Sequence, residues 1–246
     1  MRIPTGEHPL IVLALGAGVQ SSFLHLASNA GFLPRIDVSI FADTMYEPKA
    51  VYDHLDWMER ETTIPIIRCS VGDLRQDAID FRQDRVSRDG KRWASVPFYV
   101  KNADGSRGQI RRQCTPTYKI EPMERVIREQ LLGLKRGQRS QPIPLIEQWI
   151  GISSDEGQRC SFPGVWTKTK KYGTTLFGEK FVEREEKKWR QLKWKFHAYP
   201  LCRTIFTADR KVSDCNYLPR QFDRQDCLDW LAKHYPGRQI PRSACS

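Results

Sequence analysis

A short stretch near the amino terminus carries the residue types that hold a phosphate: Gly16-Ala17-Gly18-Val19-Gln20-Ser21-Ser22. It follows the apolar run Leu10–Leu15, which reads as a buried strand, and it leads into a helical pattern. A strand that opens onto a helix amino terminus aims backbone N–H groups and the positive end of the helix dipole at one spot, which suits an anion. Gly16 and Gly18 are expected to let the chain turn inward without a Cβ clash. Ser21 and Ser22 would add hydroxyl donors in the first helical turn. A glycine pair after a strand is also an ordinary tight turn. The spacing is neither Gly-x-Gly-x-x-Gly nor a Walker Gly-Lys-Ser/Thr ending, so its meaning depends on what the rest of the chain supplies.

Other polar groups stand where further strands should end. Asp43-Thr44 closes a second β-branched run, Ser70–Asp73 follows a third, and Ser153-Ser154-Asp155-Glu156 follows Ile146–Ile152. Arg111, Arg112, Lys119 and Arg159 are the cations that could stabilise charge on phosphoryl oxygens. Arginine suits bidentate phosphate contact, yet each of the four also reads as a solvated surface charge. The seven cysteines (Cys69, Cys114, Cys160, Cys202, Cys215, Cys227 and Cys245) contain no Cys-x-x-Cys pair. Scattered cysteines of this kind argue against a disulfide framework and are commonly buried small hydrophobes.

The elements that must position these groups follow from hydrophobic periodicity. After Ser21, the residues Phe23, Leu24, Leu26 and Ala27 make one helical face, with Gly31 as its stop. Ile36–Ala42 alternates as a strand. Pro48 opens a helix to about Arg60 whose face is Val51, Leu55 and Met58. Ile64–Cys69 is a third strand. This alternation predicts an α/β fold with a doubly wound, mostly parallel, five-stranded sheet. Ligands in such sheets lie beyond the strand carboxyl ends, where all the polar loops above converge. Residues 82–110 suggest a hairpin or flap, Thr117–Leu132 a helix, Gly133–Pro144 a polar linker, and Glu179–Lys195 a helix. Asp223 is a good N-cap for a last helix that Pro236-Gly237 ends.

The chain has 246 residues and a net charge of +11, which favours anionic partners. Residues 161–220 hold 14 Lys and Arg against 6 Asp and Glu, together with Trp166, Trp189 and Trp194. The expected division is therefore a core at 1–160, a basic insertion at 161–220, and a carboxyl-terminal helix and Cys-bearing tail at 221–246. The insertion reads either as a solvated cover or as a surface for a nucleic acid or protein, since aromatic rings beside cations suit single strands. With no apolar run of membrane-spanning length and no signal core, the expectation is a cytoplasmic protein without a membrane partner. A homodimer is left open.

Four separated segments together resemble the PAPS reductase-like branch of the adenine-nucleotide alpha-hydrolase (PP-loop) superfamily. Gly16-Ala17-Gly18-Val19-Gln20-Ser21 is similar to its Ser-Gly-Gly-x-Asp-Ser loop, with Gln20 where ATP-using members have Asp. Asp43-Thr44 with Glu47 is similar to its Asp-Thr-Gly strand end. Arg112-Gln-Cys114 through Lys119 and Pro122 resembles its Cys-x-x-x-x-Lys-Val-x-Pro segment. Trp149-Ile-Gly151-Ile152, with Asp155, Glu156 and Arg159, looks like its late-strand motif. The resemblance covers roughly residues 8–160 and 221–245.

What the resemblance implies is a HUP-type nucleotide domain acting at the alpha-phosphate of ATP or a related adenine nucleotide. Gly16, Ala17, Gly18, Gln20, Ser21 and Ser22 would hold the phosphates. Phe41, Asp43, Thr44 and Gly151 would meet the rest of the nucleotide, and Lys119, Arg112, Arg159 and Asp43 would carry the chemistry. Mg²⁺ would need Asp43 or Asp155, because a neutral Gln20 is a poorer ligand. One alternative is sulfonucleotide (PAPS or APS) reduction through a Cys245 thiolate. Another is a nucleotide- or nucleic-acid-binding accessory protein without turnover. Cys114, Cys227 and Cys245 also match positions at which relatives carry cysteines, implying an iron–sulfur cluster. Stand-alone relatives imply a phage, mobile-element or CRISPR-associated context.

Overall fold

The computed structural model describes residues 3–77, 99–101, 107–109, 114–135, 137–174, 180–207 and 209–241. In chain order they form β1 (Leu10–Ala14), α1 (Val19–Asn29), β2 (Val38–Asp43), α2 (Lys49–Glu61) and β3 (Ile66–Ser70). A small antiparallel pair, β4 (Tyr99–Lys101) and β5 (Arg107–Gln109), comes next. Then follow α3 (Glu121–Val126), flanked by π-helical turns at Cys114–Ile120 and Ile127–Leu131, and β6 (Ile146–Ile150). The remainder is β7 (Gly164–Thr174), β8 (Lys180–Gln191), β9 (Lys195–Tyr199), β10 (Thr204–Phe206), β11 (Val212–Asp214) and α4 (Arg224–His234).

The main sheet is α/β and mixed, with strand order β11-β10-β9-β6-β1-β2-β3. From β9 to β3 every pairing is parallel, while β10 and β11 add on antiparallel. The expected five strands thus become seven. The two extra strands are three residues each, too short for a period of two to register in the sequence.

Helices cover both faces, as buried parallel strands require. On one face Phe23, Leu26, Val51, Leu55, Met58, Cys227 and Leu231 of α1, α2 and α4 pack around Leu13 and Trp149. On the other, Met123 and Val126 of α3, with Ile127 just after it, meet Leu10, Val12, Val38, Ile40 and Ile146.

Two expectations for residues 161–220 need correction. Residues 195–214 are part of the core, because β9 pairs with β6 and carries β10 and β11. Glu179–Lys195 is not a helix: Lys180–Gln191 is β8, paired along its length with β7. The stretch lacks an apolar stripe at helical spacing, while Phe181, Val182 and Trp189 favour a strand once a partner is present. The flap expected at 82–110 lies mostly outside the described residues. Among the described residues no helix is long and apolar enough to cross a membrane.

α4 starts as its sequence predicts. The Asp226 N–H donates to the Asp223 carboxylate at 2.8 Å, and the Asp223 N–H donates to the Asp226 carboxylate at 3.0 Å, a reciprocal capping box. Asp223→Ala is expected to lower stability by about 1 kcal/mol, read from the denaturant midpoint.

Candidate functional site

The sheet reverses its winding between β1 and β6: from β1 the chain moves outward to β2 and β3, then returns to the other side of β1 as β6. Crevices beyond the carboxyl ends of such strands are where open α/β sheets take ligands. The Gly16–Ser22 loop lies there, and Gly151 follows β6 directly beneath it. A Cβ on Gly151 would stand 2.9 Å from the Ser21 nitrogen and 3.2 Å from the Gln20 carbonyl carbon. The Gln20 side-chain amide donates to the Ser153 hydroxyl at 3.2 Å, fixing the loop to the β6 end a second time.

Within the loop, the left-handed turn falls on Ala17, with φ 53°. Gly18 is extended, with φ −90° and ψ 178°. The expectation that the glycines supply the turn is therefore corrected: the strained residue is an alanine, buried against the core. Around Gly18 a Cβ would meet nothing within 4 Å, so the glycine leaves open space at the helix end. Gly18 caps α1 without a side-chain bond, and the first turn holds no acidic residue. The amides of Val19, Gln20 and Ser21 precede the first intrahelical bond, Ser22 N–H to Gly18 O at 2.9 Å. They make the donor set a helix amino end presents to an anion.

The two serines do different work from that expected of a pair of phosphate donors. The Ser21 hydroxyl accepts from the Gly16 N–H at 3.1 Å and donates to the Gly18 carbonyl at 3.3 Å, bracing the loop. Ser22 is fully buried and its hydroxyl meets His54 Nε2 at 2.9 Å, inside the protein. Burial, aided by the nearby Arg238 charge, holds the His54 pKa down near about 4. Arg238 can only donate to His54 Nδ1, 3.4 Å away. The proton therefore sits on Nε2, and His54 donates to Ser22. Arg238 itself stacks over Trp57, 4.5 Å from the ring centre.

Beside the loop, β2 ends at Asp43, whose Oδ1 accepts from the Met45 N–H at 2.7 Å and from the Tyr52 hydroxyl at 2.9 Å. Burial and that bond push the Tyr52 pKa up to about 12. Thr44 is buried, Phe41 is a core residue whose backbone alone could meet a ligand, and Met45 takes a left-handed φ of 57°. Lys119 reaches this same strand end: its Nζ lies 3.2 Å from Glu47 Oε1, and the Glu47 side chain is fully buried. A carboxylate out of water needs such a cation, and the pair fixes the lysine in turn.

The other expected groups are less closely gathered. Arg159 follows β6, but its side chain is 58% exposed and pairs with Glu156 at 2.6 Å. Arg111, Arg112, Cys245 and the side chain of Cys114 lie outside the described residues. Cys227 is fully buried in the core, and burial raises its thiol pKa, which disfavours the thiolate a cluster needs. Among the described residues no three His, Cys, Asp or Glu side chains group as a metal site.

Sequence reading missed Tyr52, His54 and Arg238. His54 carried a signal, since it lies three residues after Val51 on the apolar stripe of α2. Arg238 carried none, because its contacts are with a helix far away in the chain. Compared with protein-family models, curated proteins and solved structures, the chain shows no significant match.

Proposed function

We propose that the chain binds an adenine nucleotide with its phosphates on the Gly16–Ser22 loop and acts at the alpha-phosphate. The products are pyrophosphate with either AMP or an adenylated acceptor. The observation that carries this reading is the uncapped amino end of α1, with its open space at Gly18, at the point where the sheet reverses its winding. The motif resemblance supplies the choice of adenine and of the alpha-phosphate.

The demand on the protein is electrostatic: charge grows on phosphoryl oxygens and must meet fixed donors. The amides of Val19, Gln20 and Ser21 supply neutral donors and Lys119 a positive charge. Glu47 holds that lysine in place, so the charge is preorganised. Mg²⁺ would neutralise phosphate charge when bound. Asp43 is the carboxylate that fits it, since both of its hydrogen bonds fall on Oδ1.

The test is chromatographic separation of products from alpha-labelled ATP with Mg²⁺ or Mn²⁺. AMP and pyrophosphate are expected. Lys119→Gln should lower the rate about 100-fold, the scale of losing one transition-state donor. Ser21→Ala should slow it by releasing the Gly16 N–H and loosening the loop. Formation of ADP would show that the scissile bond is a different one, and unchanged ATP would overturn the reading.

A further inference from the structure

The β7–β8 ribbon takes no part in the main sheet. Its eleven- and twelve-residue strands pair only with each other, over a length of about 35 Å. The base is held firmly. The Leu192 N–H donates to Pro163 O at 3.2 Å, and Phe162 meets Phe206 edge-on at 4.6 Å. The Ser161 N–H donates at 3.0 Å to the hydroxyl of Tyr199, a core residue of β9.

A two-stranded ribbon is marginal on its own, and its cross-strand pairs decide whether it holds. Here the register is unfavourable. Lys168 stands opposite Lys187, and on the other face of the ribbon Lys171 stands opposite Arg184. Like charges directly opposed in a sheet repel. Of the three glutamates in β8, Glu185 alone registers against a cation, Lys170. Glu186 faces Thr169, and Glu183 falls at the bulge between the Arg184 and Val182 pairings. The two strands together carry eight Lys and Arg against three Glu. Next to the Lys168/Lys187 register on the same face stands Trp166 opposite Trp189. A ribbon whose only task was to fold would alternate charge across its strands. This one concentrates positive charge beside an aromatic pair.

We propose that the β7–β8 ribbon is an arm for single-stranded nucleic acid, with the Trp166/Trp189 position as a base-stacking platform and the opposed Lys168 and Lys187 of the same face on the phosphates. Phosphates relieve the opposition of these two like charges. The tryptophan pair favours unpaired bases over an acidic protein, since every base offers a face to stack on. This role is independent of the nucleotide loop.

The register supplies its own test. Lys168→Glu places a glutamate opposite Lys187 on the tryptophan face, and Lys171→Glu places one opposite Arg184 on the other face, so each variant should fold at least as stably as the parent. Binding of a labelled single-stranded oligonucleotide of about 12 nucleotides is followed by anisotropy across salt concentrations, with tryptophan emission read alongside. The parent should bind, with quenched emission. Lys168→Glu should bind several-fold more weakly at moderate salt, with a salt slope shallower by about 0.7 for the lost contact, while Lys171→Glu should bind like the parent. Gly18→Ala should bind the oligonucleotide like the parent, which separates this result from the nucleotide reading. The proposal is overturned by a parent that does not bind, by a Lys168→Glu variant that binds equally, or by tighter binding to duplex. Equal binding of poly-glutamate overturns it as well.

Discussion

Gly151→Ala is expected to cut turnover of the nucleotide about 100-fold, the scale set by misplacing a site by about 1 Å. The reason is steric and local. The new Cβ would lie 2.9 Å from the Ser21 nitrogen and 3.2 Å from both Gln20 C and Ser21 Cα, and all three are backbone atoms. No flexible side chain can move aside, so the amino end of α1 must lift from β6 or β6 must bend. Either movement breaks the Gln20–Ser153 hydrogen bond and re-aims the first amides of the helix. Overpacking of this kind costs about 1–3 kcal/mol, so the denaturant midpoint should fall as well. Gly18→Ala separates the structural from the functional part. Its backbone is extended and its Cβ position is open, so stability should stay within about 0.5 kcal/mol. The methyl would nevertheless occupy the space where the phosphates are proposed to lie. ATP affinity measured by calorimetry should drop for Gly18→Ala with an unchanged midpoint. Parent-like affinity would show that the phosphates do not approach the helix there.

The sequence told more about where strands end than about how the groups there are aimed. Leu10–Leu15 and Ile36–Ala42 are apolar enough on both faces to be recognised as buried parallel strands, and their ends then locate the polar loops. The internal geometry of the loop did not follow. Gly16 and Gly18 looked like the flexible positions, yet Ala17 takes the left-handed conformation, because its side chain is held in the core while Gly18 is left facing open space. Ser21 and Ser22 are adjacent and of one type, but a helix turns by about 100° between neighbours. One hydroxyl therefore braces the loop and the other meets His54 in the interior. Residues 180–191 show the limit from the other side. Their charge was plain, but their strand conformation depends on β7, and composition does not carry pairing register.

Acidification from pH 6.5 towards pH 4 is expected to unfold this protein, and three histidines that burial keeps neutral are the cause. His25 is fully buried, with Nδ1 2.8 Å from the Ser39 hydroxyl and Nε2 2.9 Å from the Thr62 hydroxyl. Thr62 gives its own proton to Met58 O at 2.8 Å, so it accepts from Nε2 and the His25 tautomer is fixed. Burial lowers the His25 pKa from 6.5 to about 4, and burial together with the Arg238 charge does the same for His54. Burial together with the Lys195 charge lowers the His197 pKa to about 3. The sign follows from linkage. The unfolded chain protonates these rings below pH 6.5 while the folded chain refuses the protons, so the stabilisation is complete above 6.5 and is lost as pH falls to about 4. Each ring contributes roughly 3 kcal/mol, and together they rival the 5–15 kcal/mol by which domains are typically stable. Glu147 opposes this trend, since burial raises its carboxyl pKa, but it is one group against three. The urea midpoint should fall steeply from pH 6.5 to 4.5, with stability changing by a slope approaching three protons. His54→Gln, which keeps a donor for Ser22 without titrating, should reduce that slope by one. A midpoint flat over this interval would show that the rings protonate in place. Because His54 backs the first turn of α1, nucleotide held at that turn should raise stability by mass action without altering the slope. A slope that changed on adding ATP would mean that the ligand reaches through Ser22 to the histidine behind it.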